Sequence, residues 1–332
     1  MAEEHKIAIS TISMGWHENH TLDDKLEAAS AHGYNGIELF WSDLEKDAVG
    51  RNIIVEDNAA RIGSKCKDLG LGISDLASFD NFEGCQKVPL ETRLEKARRW
   101  VSIARILGTD IVQIPANDDL SSLAASEDEC VAELRMLADI GASRGGQEKT
   151  ITWAYEPMAW SARDFTWQAA LHTVRRVARP NVKLCLDTYH ILAKLWGDCT
   201  VPDGKVPGGD EALRASLHDL PRMIRPEEVA FVQLSDAEHI DPPVALPWLH
   251  DIGKHQSHYW CSWGRLFPYE KDEGAYLPME QICNTLLRDL CRSGWVSMEI
   301  FHRSMRVMRK GPDQWAERGM KSWKEVQKML QD

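Results

Sequence analysis

The chain alternates short apolar runs, rich in β-branched residues, with longer stretches whose apolar residues recur at helical spacing. This alternation repeats eight times, and no Gly-x-Gly-x-x-Gly motif follows the first run. Eight strand-then-helix units with continuous apolar strands predict a parallel sheet that is covered on both faces and closed into a (β/α)8 TIM barrel. A doubly wound open sheet is the alternative, but the missing glycine motif weighs against it. The predicted strands are 7–13, 36–41, 71–79, 110–115, 150–156, 182–187, 229–235 and 295–301.

Two connections are longer than a barrel requires. A Gly/Pro-rich segment, 197–209, follows the sixth strand, and 238–276 follows the seventh strand with Trp248, Trp260 and Trp263 in it. Loops after the strands of a barrel gather at the carboxyl face, where the chemistry of this fold takes place, and long loops there are commonly lids. No linker divides the sequence. We therefore expect one domain over 1–332, with a lid-like insertion at about 238–276.

Charge and cysteine usage narrow the class of partner. The formal net charge is −12, which argues against a protein that grips a phosphate backbone, so no nucleic-acid partner is expected. No apolar run approaches the roughly 18 residues of a membrane span, and no secretory segment is visible at the amino terminus. The eight cysteines include no Cys-x-x-Cys pair and are interpreted as reduced thiols. These features predict a cytoplasmic protein that acts on a small molecule, with a homo-oligomer left open.

Polar residues stand where four consecutive strands end. Glu156, Asp187 and Glu299 lie at the ends of strands five, six and eight, and Gln233 lies within strand seven. In a barrel these ends converge, and three carboxylates gathered there repel one another unless a cation lies between them. Any one of them could instead be a capping or salt-bridged acid, but together they favour a metal site. An oxygen-rich set of this kind suits Mn²⁺ or Mg²⁺, and Co²⁺ is also considered.

Four further residues are candidates for the same mouth. His190 follows Asp187 by three residues and is a candidate acid or base; the alternative is a histidine that only bonds a carbonyl at a helix start. Arg265, late in the lid, is a candidate clamp for a substrate carboxylate, or else a solvated loop charge. Glu38 is a strand-end acid that could bond a substrate hydroxyl, and Trp160 is a candidate wall beside a ring-shaped ligand.

The chain resembles a known superfamily along most of its length. The stretches ISTISMG, LDDKLEAASAHGYNGIELFWSDLE, YEPMAW, LCLDTYHI, VQLSD and WVSMEIF follow the order and spacing of the xylose-isomerase-like TIM barrels. These include sugar epimerases, inosose dehydratase and endonuclease IV, and the chain is most similar to the fungal 3-dehydroshikimate dehydratases of quinate catabolism. The resemblance implies a divalent metal on Glu156, Asp187, Gln233 and Glu299, acid–base work by His190, and a substrate held by Arg265.

The function that this resemblance implies is a metal-dependent lyase. It would dehydrate 3-dehydroshikimate to protocatechuate by removing the proton α to the ketone and expelling the β-hydroxyl, with an enolate stabilised by the metal. A sugar or inosose epimerase, isomerase or dehydratase is the alternative, with Glu156 and Glu299 as paired bases; Gln233 in place of histidine weighs against the epimerases. A non-catalytic barrel is a third hypothesis, and it predicts no tightly bound metal.

Overall fold

The computed structural model describes residues 5–143, 145, 148–291 and 293–331. Eight parallel strands close into a barrel in which each strand pairs with its neighbours along the chain and the last strand pairs with the first. The predicted (β/α)8 TIM barrel is confirmed. The strands are β1 (His5–Ser10), β2 (Gly36–Phe40), β3 (Gly72–Ala77), β4 (Ile111–Pro115), β5 (Thr152–Glu156), β6 (Val182–Asp187), β7 (Val229–Leu234) and β8 (Gly294–Met298).

Helices cover the outside of the barrel and fill the long connections. Helices α1 and α5 begin with capping boxes, in which Thr21 pairs with Asp24 and Ser126 pairs with Glu129. The helices are α1 (Leu22–Ala31), α2 (Trp41–Arg51), α3 (Val55–Asp68), α4 (Leu90–Leu107), α5 (Glu127–Gly141), α6 (Trp167–Val177), α7 (Thr188–Leu195), α8 (Gly209–Met223), α9 (Leu246–Asp251), α10 (Gln256–Gly264), α11 (Met279–Cys283) and α12 (Pro312–Gln331).

The structure differs from the sequence predictions at several element ends. Strand β1 ends at Ser10 and continues as a 3-10 turn, whereas the apolar pattern extended the strand to residue 13. Trp41 begins α2, a helix that the pattern did not predict, and its ring stacks on Trp100 of α4 at 4.5 Å. Before β8, the helix α11 continues directly into a π-helical segment, Asn284–Leu290. Apolar residues also pack outside the barrel, so an apolar run alone did not mark a strand boundary.

Polar side chains occupy the barrel interior. Asp187 and Ser297 both pair in register with Gln233, so the three side chains lie on the same face of adjacent strands. Gln233 Nε2 donates to Glu38 Oε1 at 3.1 Å, and because β7 and β2 are not neighbours this hydrogen bond crosses the interior. The face formed by these residues is therefore the inside of the barrel, beneath the carboxyl ends of the strands.

The connection after β7 folds over the carboxyl face. A two-residue ribbon, Asp236–Ala237 paired with Arg265–Leu266, joins its two ends, and α9 and α10 lie between them. The carboxylate of Asp236 accepts from the backbone N–H of Leu277 at 2.9 Å. Burial raises the pKa of this carboxyl to about 7. Across the described residues, no helix combines the length and the apolar character needed to cross a membrane.

Candidate active site

The barrel mouth contains buried acidic side chains in excess of basic ones. Five carboxylates are each at most 3% exposed: Glu38, Asp75, Glu156, Asp187 and Glu299. Burial is the main cause that raises the pKa of every one of these carboxyls, and the pKa of Asp75 rises to about 8. Neighbouring carboxylates raise the pKa of Glu156 and Glu38 further. The five groups cannot all be ionised together unless cations compensate them.

Arg265 provides positive charge inside this mouth. Its Nη2 donates to Asp187 Oδ2 at 2.7 Å, and its Nη1 lies 3.1 Å from Glu299 Oε2. The side chain is 1% exposed, and the Oγ of Ser235 accepts from both Nε and Nη2. Arg265 directly follows α10 in the chain, so the guanidinium between these carboxylates comes from the lid segment. The structure thus places Arg265 between two carboxylates and not on the outer surface of the lid.

Three side chains form a group that could hold a metal ion. Glu156, Asp187 and His190 each offer one ligand atom, and these atoms lie within 4.8 Å of one another. His190 Nε2 is 3.5 Å from Glu156 Oε1 and 3.6 Å from Asp187 Oδ2. Glu156 Oε2 accepts from Gln113 Nε2 at 2.6 Å, whereas its Oε1 is buried without a hydrogen-bond partner. An unpartnered buried carboxylate oxygen beside two further ligand atoms fits a divalent cation.

The tautomer of His190 follows from its backbone contact. The N–H of Ala159 donates to Nδ1 of His190 at 3.1 Å. Burial, followed by the positive charge of Arg265, holds the pKa of the imidazole well below its usual range. The ring is therefore neutral, and its proton resides on Nε2 because Nδ1 is an acceptor. The N–H at Nε2 therefore lies on the side of the ring that faces the carboxylates of Glu156 and Asp187.

Gln233 and Glu38 lie deeper in the barrel and bond each other. Gln233 Oε1 also accepts from the Sγ of Cys185 at 3.1 Å, so the amide oxygen that we predicted as a metal ligand has a thiol partner. The predicted ligands Glu156 and Asp187 come together with His190, and Glu299 reaches Asp187 through Arg265.

Three buried polar residues that interact with the predicted site, by a hydrogen bond or by charge, were not predicted from the sequence. Their shared signal is a polar residue within or directly after a buried apolar strand, and they are Asp75, Gln113 and Ser235.

Aromatic rings cover His190. Trp160 lies 4.8 Å from His190, edge-on at 64°, and its other neighbour is His258 of α10, stacked at 4.8 Å and 9°. The indole Nε1 of Trp160 is buried without a hydrogen-bond partner. Tyr189 contacts His190 edge-on at 5.4 Å, and its hydroxyl donates to the carbonyl of Ser257 at 2.6 Å. The lid therefore contacts the candidate site through several side chains.

Comparison with known proteins identifies the family. The family model described as xylose isomerase-like TIM barrel matches residues 26–326. A 3-dehydroshikimate dehydratase of Neurospora crassa is 37% identical over 98% of this chain and 94% of its own. A 3-dehydroshikimate dehydratase of Pseudomonas aeruginosa is 32% identical over 76% of this chain, which spans only 33% of that longer protein.

A solved structure extends the comparison to the fold. A fusion protein of a xylose isomerase-like TIM barrel with a 4-hydroxyphenylpyruvate dioxygenase matches with a TM-score of 0.75 and 26% identity. The match covers 98% of this chain and 43% of the fusion protein. The chain therefore belongs to the xylose isomerase-like TIM-barrel family, and along nearly its whole length it is similar to the 3-dehydroshikimate dehydratase of Neurospora crassa.

Proposed function

We propose that the protein is a metal-dependent hydro-lyase that converts 3-dehydroshikimate to protocatechuate and water, within shikimate-related catabolism. The observation that carries the proposal is the buried Glu156–Asp187–His190 group, in a chain that is 37% identical to a 3-dehydroshikimate dehydratase over nearly its whole length. The reaction removes the proton α to the ketone and the hydroxyl β to it. The product gains aromaticity, so the elimination is effectively irreversible.

The cofactor that fits the mouth is a divalent cation, and we propose Mn²⁺ or Mg²⁺, with Co²⁺ as a further candidate. Glu156 and Asp187 would hold it, together with Glu299 and Gln233 if these exchange their present partners. When bound, such an ion acts as a Lewis acid that stabilises negative charge on the ketone oxygen as the enolate forms. A set of oxygen donors suits these ions, whereas a thiolate-seeking metal prefers sulfur ligands.

We assign separate roles in the elimination to His190 and to the buried carboxylates. His190 presents an N–H at Nε2, because its Nδ1 accepts from the backbone N–H of Ala159, so we assign it as a hydrogen-bond donor to the departing hydroxyl. The proton α to the ketone passes to a carboxylate, either Glu156 or Glu299, and the carboxylic acid so formed returns a proton to the hydroxyl, which leaves as water. Burial raises the pKa of both carboxyls, which makes each a stronger base than an exposed carboxylate.

Arg265 and Trp160 are the proposed substrate contacts. Besides its carboxylate partners, Arg265 donates through Nη1 to the Sγ of Cys261 at 3.6 Å. Sulfur is a weak acceptor, and a substrate carboxylate oxygen would form the stronger bond in its place. The unpartnered N–H of Trp160 is a donor for a substrate oxygen, and its indole offers a flat wall to a six-membered ring. Glu38 would bond a substrate hydroxyl or Gln233.

The direct test is incubation of metal-loaded protein with 3-dehydroshikimate while the aromatic absorbance of protocatechuate is followed. We expect product formation that stops with a chelator and resumes with Mn²⁺ or Mg²⁺. If no protocatechuate forms but a ketose or an inosose is converted in parallel reactions, the dehydratase proposal is wrong. The protein would then be a sugar or inosose epimerase, isomerase or dehydratase that uses the same metal site. Absence of both turnover and bound metal would indicate a non-catalytic barrel.

The cellular location that we propose is the cytoplasm. All eight cysteines are free thiols, and seven of them are buried. A reducing compartment keeps such thiols unpaired. Fractionation of the native host would test this assignment.

A further inference from the structure

The lid helix α10 is attached to the chain around His190. Tyr189, the residue before His190, is fully buried, and its hydroxyl bonds the carbonyl of Ser257 in the first turn of α10. The Tyr189 ring also lies edge-on to Trp260 of α10 at 5.6 Å. At the end of the same helix, Arg265 reaches Asp187. A displacement of α10 would therefore disturb the two sides of the acidic mouth together.

A second contact from α10 reaches His190 through an intermediate ring. His258 stacks face to face on Trp160, and Trp160 meets His190 edge-on, both with centroids 4.8 Å apart. His190 is 5% exposed, and the carboxylates beside it are at most 3% exposed. The two stacked rings therefore lie over one side of His190 and join α10 to the candidate site.

We propose that His258 is a positioning residue: its ring holds Trp160 against His190 while the lid is closed, and separation of the stacked pair opens the site to a substrate with a six-membered ring. This proposal rests on the proposed function for its substrate. The stack itself stands on the ring geometry. The ring of His258 stacks on Trp160, and Trp160 meets His190, so we place the effect of His258 on the site through Trp160.

Thiol protection provides a readout that does not depend on turnover. Cys261 lies buried within α10, and the Sγ of Cys199 donates to the carbonyl of Gln256 at 3.7 Å. Cys66 is buried in α3 on another side of the barrel and reports global unfolding instead. Labelling with N-ethylmaleimide, quantified for each cysteine by peptide mass spectrometry, therefore separates opening of the lid from unfolding of the whole protein.

The experiment compares His258→Ala with His258→Phe, which keeps a stacking ring, and with His250→Ala, which alters an exposed histidine of the same lid. Loss of a stacked aromatic pair should let the lid open more often. In His258→Ala, N-ethylmaleimide should therefore label Cys261 roughly two- to tenfold faster than in the parent, while the labelling rate of Cys66 should stay unchanged. His258→Phe and His250→Ala should label like the parent. Equal labelling of Cys261 in His258→Ala and the parent, or no restoration by His258→Phe, would overturn the proposal.

Turnover of 3-dehydroshikimate is the second arm. His258→Ala should lower kcat/KM by about the same two- to tenfold factor, and His258→Phe should restore it. If the parent fails to turn over 3-dehydroshikimate, the proposed function fails, whereas the labelling pattern still decides the role of His258. A fall in kcat/KM that is equal in His258→Ala and His258→Phe, without altered labelling, would contradict the positioning role.

Discussion

The backbone N–H of Ala159 donates to Nδ1 of His190, and this single contact determines which ring nitrogen carries the proton. A neutral imidazole with an accepting Nδ1 has its hydrogen on Nε2. That hydrogen lies on the side of Glu156 and Asp187, 3.5 and 3.6 Å from their nearest oxygens. His190 therefore offers a hydrogen-bond donor to this side of the site, and in the proposed reaction a carboxylate carries the proton.

Replacement of His190 by Asn tests this division of roles. We expect kcat for protocatechuate formation to fall by on the order of 10²–10³, the usual effect of removing a positioned hydrogen-bond donor that stabilises developing negative charge. Exchange of the substrate α-hydrogen with solvent deuterium, measured by NMR, should persist because the carboxylate base remains. Simultaneous loss of exchange and dehydration would instead make His190 the base.

Removal of single carboxylates tests the metal centre. Elemental analysis of the parent should show about one divalent ion per chain, and Glu156→Gln or Asp187→Asn should lower this content sharply, because each removes a charged oxygen ligand. Glu299→Gln should abolish activity. The far-ultraviolet circular dichroism of these variants should match that of the parent, and Glu280→Gln, at an exposed position, should retain both metal and activity. Full activity in metal-stripped parent protein would disprove the metal centre.

Replacement of Arg265 by Met should destabilise the metal-free protein. The change leaves Asp187 and Glu299 buried without their cationic partner, and breaking such a pair typically costs about 3–5 kcal/mol. Because a divalent ion supplies replacement charge, the deficit should shrink when Mn²⁺ is added. Urea unfolding with chelator and with Mn²⁺ measures both values. Arg303→Met, which removes a half-exposed partner of Glu238, should show no such dependence on metal.

A buried acid outside the barrel interior should make stability depend on pH. The hydroxyl of Tyr155 lies 2.9 Å from Glu83 Oε1 and 2.9 Å from Asp164 Oδ2, and it has one hydrogen for two acceptors. Burial raises the pKa of Glu83 to about 7. Between the ordinary pKa of a glutamate and this raised value, the folded state holds a proton that the unfolded state has released. The contribution of Glu83 to the free energy of unfolding is therefore fully present below about pH 4.5 and is lost as the pH rises through 7.

Glu83→Gln should remove that dependence. Relative to the parent, the variant should gain on the order of 3 kcal/mol of unfolding free energy between pH 4.5 and pH 8, since each pKa unit corresponds to about 1.4 kcal/mol. Urea unfolding at the two pH values provides the comparison, and Glu280→Gln is the exposed control. Parallel pH curves for Glu83→Gln and the parent would show that Glu83 does not titrate in this range.

Cutting the chain near Gly145 tests whether the barrel is one cooperative unit. Because a closed barrel shares one core among its strands, we expect neither fragment to fold alone. Thermal melts of the separate fragments would check this. A cooperative melt of the fragment that ends at Gly145 would indicate two independent units.

The strand ends were predictable because acids such as Glu156 and Asp187 are conspicuous after apolar runs, and the barrel topology brings such ends together. The partners of those acids were not predictable in the same way. Arg265 and Asp187 are 78 residues apart in sequence, and their contact depends on the path of a lid whose only strand pairing is a two-residue ribbon, too short to recognise in the sequence. Gln113 and Asp75 lie within apolar strands, and a single polar residue in such a strand does not by itself indicate a functional site. Their relation to Glu156 becomes visible only in the closed barrel.

The position of Arg265 directly after α10 has a consequence for engineering and for divergence among relatives. The lid and the internal counter-charge are encoded in one continuous segment, so exchanging the lid between two such barrels exchanges part of the electrostatics of the catalytic chamber as well. A chimera that receives a lid without an arginine at this place would inherit uncompensated acids in its interior. Loop grafting aimed at new substrates must therefore transplant the arginine with the loop, or neutralise an acid of the recipient.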